Sequence, residues 1–287
     1  MGPDLINCAD GRSSRPQCIA DRDDDRAGDR ENAMTIPMLD LGMYLQRIEA
    51  DAILLSRAAG HTGPDASIPT CTDWTTRDLL LHIGEVHRWA TNIVSLAVMR
   101  PSELPPEFLG PLPDDDHLIE WFDAGWHTLV ETLHAASEDL LCWTFLADAA
   151  PPVLFWARRQ AFETGVHRAD AESAVGSVTP FPSTCAADGI DELLTGFLPR
   201  RHSPLHSATP LTMAVNLVDD AHTWHLTISE GPVVTDRASR PADCAISGRA
   251  SDVYLALWNR QGTELLTIDG DPSVLDSFRD NITIRWA

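Results

Sequence analysis

Two stretches decide how this chain is read: residues 75–89, TTRDLLLHIGEVHRW, and residues 158–172, RRQAFETGVHRADAE. In the first, Thr75 and Asp78 form a Thr-x-x-Asp capping signal just ahead of an apolar series, which starts a helix and sets His82 about two turns into it. In the second, Glu163 and His167 are spaced i,i+4, so on a helix they lie only about 40° apart around the axis and project one above the other from a single face. With His82 added from the other helix they make a three-ligand N/O/N set. Two imidazoles and a carboxylate suit zinc or another divalent ion, and three protein ligands leave a fourth position open for water or a thiol. An open position points to chemistry rather than structural support.

Working outward, the chain from Met38 has helical spacing, with Leu39, Leu41, Tyr44, Leu45, Ile48, Ile53 and Leu54 recurring at threes and fours until Gly60. A loop with Pro64 and Pro69 leads to the capped helix, whose apolar series runs Leu79 to Val98. A proline-rich connection, Pro101 to Pro113, is followed by Asp114 to Asp116, which put negative charge at the amino end of a third helix, Leu118 to Ala136. A fourth starts near Pro151, since proline is tolerated in a first turn, and runs through Ala171. Four amphipathic helices joined by moderate loops make a bundle.

Beyond Gly176 the period shortens. Met213–Leu217, Thr223–Ile228, Val233–Thr235 and Cys244–Ser247 read as strands, Ser251–Arg260 as a helix, Leu265–Ile268 as a strand, Pro272–Arg279 as a helix and Ile282–Arg285 as a last strand. The expected fold is therefore α+β, a helical bundle over 37–180 followed by a smaller α+β domain over 205–287, with a short helix near Ile190–Leu198 in the connection. Residues 1–36, rich in Asp, Arg, Gly and Ser, lack the apolar surface to offset ordering entropy and read as a disordered tail, and Met34 or Met38 is an alternative start.

Charge narrows the partners. With 43 acidic and 21 basic residues the net charge is −22, which repels nucleic acid and anionic membrane surfaces. Every basic residue other than histidine is arginine, the mark of a GC-rich genome. The six cysteines form no CxxC pair, which favours a reduced, cytoplasmic protein. No apolar run approaches the roughly 20 residues of a membrane span. A soluble monomer or homodimer acting on small molecules is expected.

Plainer readings compete with the metal site. A lone helical histidine is usually core or surface, and Glu-x-x-x-His pairs also occur as exposed stabilising contacts. Glu85 and His87 stand near enough to His82 to compete as ligands, but they lie about 300° and about 140° further round the helix. His87, beside Arg88 and Trp89, reads as an orienting or surface residue. The aspartate runs read as solvated faces, and no serine or cysteine nucleophile has a supporting local signature.

CTDWTTRDLLLHIGEVHRWA (71–90) resembles the metal-binding helix of the actinobacterial mycothiol-dependent maleylpyruvate isomerase family, and RRQAFETGVHRADAE resembles that family's second ligand segment. ADCAISGRASDVYLALWNRQGTELLTIDGDPSVLDSF (242–278) is similar to its C-terminal domain. The resemblance spans roughly residues 38–287 and implies a DinB-like four-helix bundle with a sterol-carrier-like α+β domain. It implies a metal, zinc or another divalent ion, held by His82, Glu163 and His167, with mycothiol as cosubstrate. Two positions depart from the pattern: Phe162 stands where many members have His, and Ala169 where many have Trp. Both are expected to reshape the pocket.

Coordination would deprotonate the thiol, giving a nucleophile with no cysteine from the protein. With the altered positions in view, the expectation is S-transfer or thiol exchange on an electrophilic small molecule, with cis–trans isomerisation of maleylpyruvate as the alternative. A non-catalytic, zinc-stabilised binding protein is the reading from another class. Structural zinc sites are normally closed by four protein ligands, usually with cysteine, which argues against it. Anionic substrates need arginine. Arg88, Arg159, Arg168 and Arg260 are candidates, and Arg260, closing the helix SDVYLALWNR, is the one assigned a catalytic place.

Overall fold

The computed structural model describes residues 38–146, 149–200 and 203–282. The tail expected over 1–36 and most of the strand expected at Ile282–Arg285 lie outside the described residues, and Ile282 itself caps the last helix.

Helix α1 (Leu41–Thr62) starts at Asp40, whose side chain accepts from the Met43 amide at 2.8 Å. Next comes a hairpin absent from the sequence reading, β1 (Ser67–Ile68) against β2 (Cys71–Thr75), which runs straight into α2 (Thr76–Ser95). The start of α2 is the expected capping box, with Thr75 and Asp78 satisfying each other's backbone amides. Helix α3 (Leu118–Ala135) packs closely on α2 where Gly84 faces Trp121: a Cβ at that glycine would lie 2.2 Å from the indole. Helix α4 (Pro152–Val175) ends at Gly176, whose φ of 84° is the left-handed turn that glycine supplies at a helix C-terminus.

Helix α4 is not amphipathic. From Phe155 to Glu172 all but Arg158 are buried, with Arg159, Gln160, Glu163, His167, Arg168, Asp170 and Glu172 among them. The bundle covers one side of α4 and the C-terminal region the other, so its polar groups face protein all round and have to be paired there.

Helix α5 (Ser183–Asp191) follows and widens into a π-helical turn over Glu192–Phe197. A five-stranded sheet then forms in the order β5-β4-β3-β6-β7, from β3 (Leu211–Leu217), β4 (Thr223–Ile228), β5 (Val234–Asp236), β6 (Cys244–Gly248) and β7 (Thr267–Gly270). Strand β3 pairs in parallel with β6, placing Val215 opposite Ile246, and the other pairs are antiparallel. Helices α6 (Ala250–Leu257) and α7 (Pro272–Asn281) complete the core, which also takes in Val166 and Ala169 from α4. The fold is α+β, a helical N-terminal region with a sheet-containing C-terminal part. Among the described residues no helix is long and apolar enough to cross a membrane.

Candidate metal centre

Helices α2 and α4 bring His82, Glu163 and His167 together, one possible ligand atom from each lying within 4.8 Å of the others. His167 Nε2 is 3.4 Å and His82 Nε2 3.7 Å from Glu163 Oε1. Donors bound at about 2.0–2.1 Å around a tetrahedral ion stand roughly 3.3 Å apart, so this spacing suits a divalent metal. Glu163 Oε1 is buried and accepts no hydrogen bond from protein. A carboxylate oxygen in that state, turned toward two imidazoles, is what a cation would satisfy.

The groups around the cluster orient it. His167 Nδ1 stands 2.9 Å from Asp170 Oδ2, a carboxylate that can only accept, so this nitrogen carries a proton and Nε2 is the atom that faces the cluster. Asp170 in turn accepts from the Thr70 hydroxyl at 2.5 Å and from Arg260 Nε and Nη2 at 2.8 and 3.1 Å. Glu163 Oε2 accepts from Arg159 Nη2 at 2.8 Å. Trp74, carried by β2, lies nearly parallel to the His167 ring (centroids 5.9 Å apart, 22°) and 4.9 Å from the His82 ring, forming an aromatic wall against both imidazoles.

Electrostatics separates the three groups. Burial lowers His82 below the ordinary imidazole value, with the Glu163 carboxylate opposing. Burial also works against a charged His167, but the carboxylates of Asp170 and Glu163 outweigh it and hold that ring above its usual value. For Glu163 burial pushes upward, yet Arg159 and the two histidines keep the carboxyl well below its usual range. The carboxylate is therefore ionised and His82 neutral near pH 7, the forms in which they bind a metal.

The remaining candidates go elsewhere. His87 does not reach the surface: it is fully buried between α2, α3 and α4, its Nε2 2.9 Å from the Thr164 hydroxyl and its ring beside Phe122. Arg88 lies over Trp121 and donates to the Trp121 and Gly84 carbonyls. Arg168 is buried against Asp51 and Glu172. Arg260, expected to meet a substrate anion, instead grips the protein's own Asp170, and its other donors reach the Trp258 carbonyl and Cys71 Sγ. Through Asp170 it is linked to His167. Of the two positions that depart from the family pattern, Phe162 packs edge-on to Tyr44 and Tyr254, and Ala169 sits in the C-terminal core. Trp74 and Asp170 were not foreseen. Asp170 had a signal, standing i,i+3 from His167 on one helix face, whereas Trp74 depended on a hairpin the sequence does not announce.

Burial has a measurable consequence at His87, whose pKa falls from 6.5 to about 3 through desolvation. Below pH 6.5 the unfolded chain takes up a proton at this position that the folded chain refuses, so stability drops as pH falls toward 3. His87→Gln, which can keep the bond to Thr164 but cannot titrate, should flatten that decline by one proton, about 1.4 kcal/mol per pH unit, in urea unfolding between pH 6 and pH 4. An unchanged slope would mean that His87 titrates normally.

Comparison with known proteins places the fold. The family model for the mycothiol maleylpyruvate isomerase N-terminal domain matches residues 45–172, and that for the MDMPI C-terminal domain matches residues 184–277. Among solved structures, those of the mycothiol-dependent maleylpyruvate isomerase and of a histidine-to-alanine mutant of it superpose with a TM-score of 0.56. They are 16% and 15% identical in sequence, and each alignment covers 82% of this chain and 95% of the other. A comparison with curated proteins finds no match.

Proposed function

Because the chain belongs to the mycothiol-dependent maleylpyruvate isomerase family, we propose that it is a thiol-dependent cis–trans isomerase acting on maleylpyruvate or a close analogue, with mycothiol as cosubstrate. The observation that carries the reading is the convergence of His82, Glu163 and His167 around a buried carboxylate oxygen that takes no hydrogen bond. A divalent ion held by these three would lower the pKa of a thiol bound beside it, so that the thiolate forms near neutral pH.

The chain's own residues set the rest. Asp170, held by Arg260 and Thr70, keeps the His167 proton on Nδ1 and so keeps Nε2 available. Trp74 flanks both imidazoles and limits water on that side. In isomerisation the thiol sulfur adds to the activated double bond, the new single bond rotates, and elimination releases the same thiol. The thiol is therefore regenerated and the protein needs no cysteine nucleophile. Cys71, the cysteine in contact with Arg260, has its thiol pushed up to about 11 by burial, which leaves it a poor nucleophile.

The case for S-transfer drew on reshaping of the pocket at Phe162 and Ala169, and both side chains are packed in the cores instead. Family membership likewise favours isomerisation. We place the enzyme in the cytoplasm, where low-molecular-weight thiols are kept reduced and the free Cys71, Cys142, Cys185 and Cys244 are at home.

The test is turnover of maleylpyruvate with catalytic mycothiol. Product should form over many cycles with the thiol recovered, and a chelator should stop it until divalent metal is restored. Consumption of one thiol per substrate, with an S-conjugate as product, would overturn isomerisation in favour of transfer, and turnover without thiol would overturn both.

A further inference from the structure

Glu163 is gripped on the side away from the imidazoles. Its Oε2 accepts from Arg159 Nη2 at 2.8 Å, and Nη1 of the same guanidinium reaches Glu192. Arg159 stands one turn before Glu163 on α4, and Glu192 opens the π-helical turn after α5, so one arginine joins a candidate metal ligand to the C-terminal region. All three side chains are buried. Phe197 and Trp258 close over the guanidinium, whose carbon lies 5.1 and 6.0 Å from their ring centroids. Enclosed in this way, the charge-assisted hydrogen bonds of the guanidinium hold a fixed geometry.

A carboxylate free to turn can offer both oxygens to a metal. The second oxygen would then fill a position that a thiol needs. Here Oε2 is occupied by the arginine, while Oε1, which takes no hydrogen bond, faces His82 and His167. A planar guanidinium holds this arrangement rigidly, one terminal nitrogen to each carboxylate, where a lysine ammonium on its flexible stem would pivot. We propose that Arg159, anchored by Glu192, is a positioning clamp that makes Glu163 a one-oxygen ligand through Oε1 and so keeps a coordination position free. The proposal rests on the reading of His82, Glu163 and His167 as metal ligands.

Removing Arg159 alone would strand two buried carboxylates and threaten folding. The decisive variant is therefore Arg159→Gln combined with Glu192→Gln, which removes the guanidinium together with the Glu192 charge that it balances. Full-length apo-protein, its fold checked by circular dichroism, is titrated with Co2+ against a competing chelator, and the visible absorption of the Co2+ form is recorded. The double variant should bind Co2+ about 10–100-fold more weakly than the wild type. Its visible bands should also weaken, as Glu163 supplies a second oxygen and the coordination number rises. Glu192→Gln alone keeps the Arg159–Glu163 pair and should lose a smaller part of the affinity. Wild-type affinity and spectrum in both variants, whatever their melting temperatures, would overturn the clamp and leave the ligand assignment standing. A wild-type chain that binds no Co2+ would overturn the ligand assignment and the clamp with it.

Discussion

His82→Ala, Glu163→Ala and His167→Ala should each purify with almost no bound divalent metal, where the wild type holds about one ion per chain. The expectation follows from the closeness of the three donors and from the lack of any hydrogen bond to the buried Glu163 Oε1. Two remaining ligands would leave a cation short of the coordination that offsets its dehydration. His87→Gln should keep its metal, since that side chain faces Thr164 and Phe122. Elemental analysis of the four purified variants decides the matter, and full metal content in His82→Ala would remove α2 from the site. Catalysis should vanish with the metal in the same three variants.

The second large effect is on stability, at Arg168. Its side chain is entirely enclosed, with Nε 3.2 Å from Asp51 on α1, Nη1 2.7 Å from Glu172, a further bond to the Thr179 carbonyl, and the Phe181 ring 4.3 Å from the guanidinium carbon. It ties α1, α4 and the segment after α4 together. Arg168→Met keeps the apolar stem but leaves Glu172 without a cation and Asp51 with Arg47 alone. Breaking a buried pair in this way costs about 3–5 kcal/mol. For a domain of this size that corresponds to a drop of roughly 10 °C in Tm. Arg100 and Glu103 make the contrast: their pair is exposed, and Arg100→Met should leave Tm where it is. Equal melting temperatures for the two variants would show that the Arg168 network adds nothing.

Much of this arrangement could be read from local sequence, for physical reasons. The capping box at Thr75 and Asp78 is a contact between neighbours, so the sequence carries both partners and fixes where α2 begins. The i,i+4 spacing of Glu163 and His167 needs only a helix to bring the groups together. What escaped depended on the other side of an interface. The wheel angle correctly separates His87 from His82, but α2 is covered by both α3 and α4, so pointing away from the site meant pointing into Phe122 and Thr164 rather than water. Arg260 could be placed at the end of its helix. That its fork closes on Asp170 requires knowing that α4 passes beneath it. The hairpin that carries Trp74 was missed because a two-residue strand shows no alternation and its flanking prolines read as loop.

The enclosure of α4 also bears on how such a chain can change over evolutionary time. Bundles and sheet domains are often exchanged between proteins as self-contained cassettes, which works when each carries its own core and the seam is wet. Here the seam runs along α4: Val166 and Ala169 belong to the C-terminal core, while Arg159 and Asp170 bind Glu192 and Arg260 from beyond the bundle. A transplanted bundle would arrive with those charges facing a stranger. The two halves are therefore expected to be inherited together, and substitutions at 159, 170, 192 and 260 to be tolerated only as matched sets.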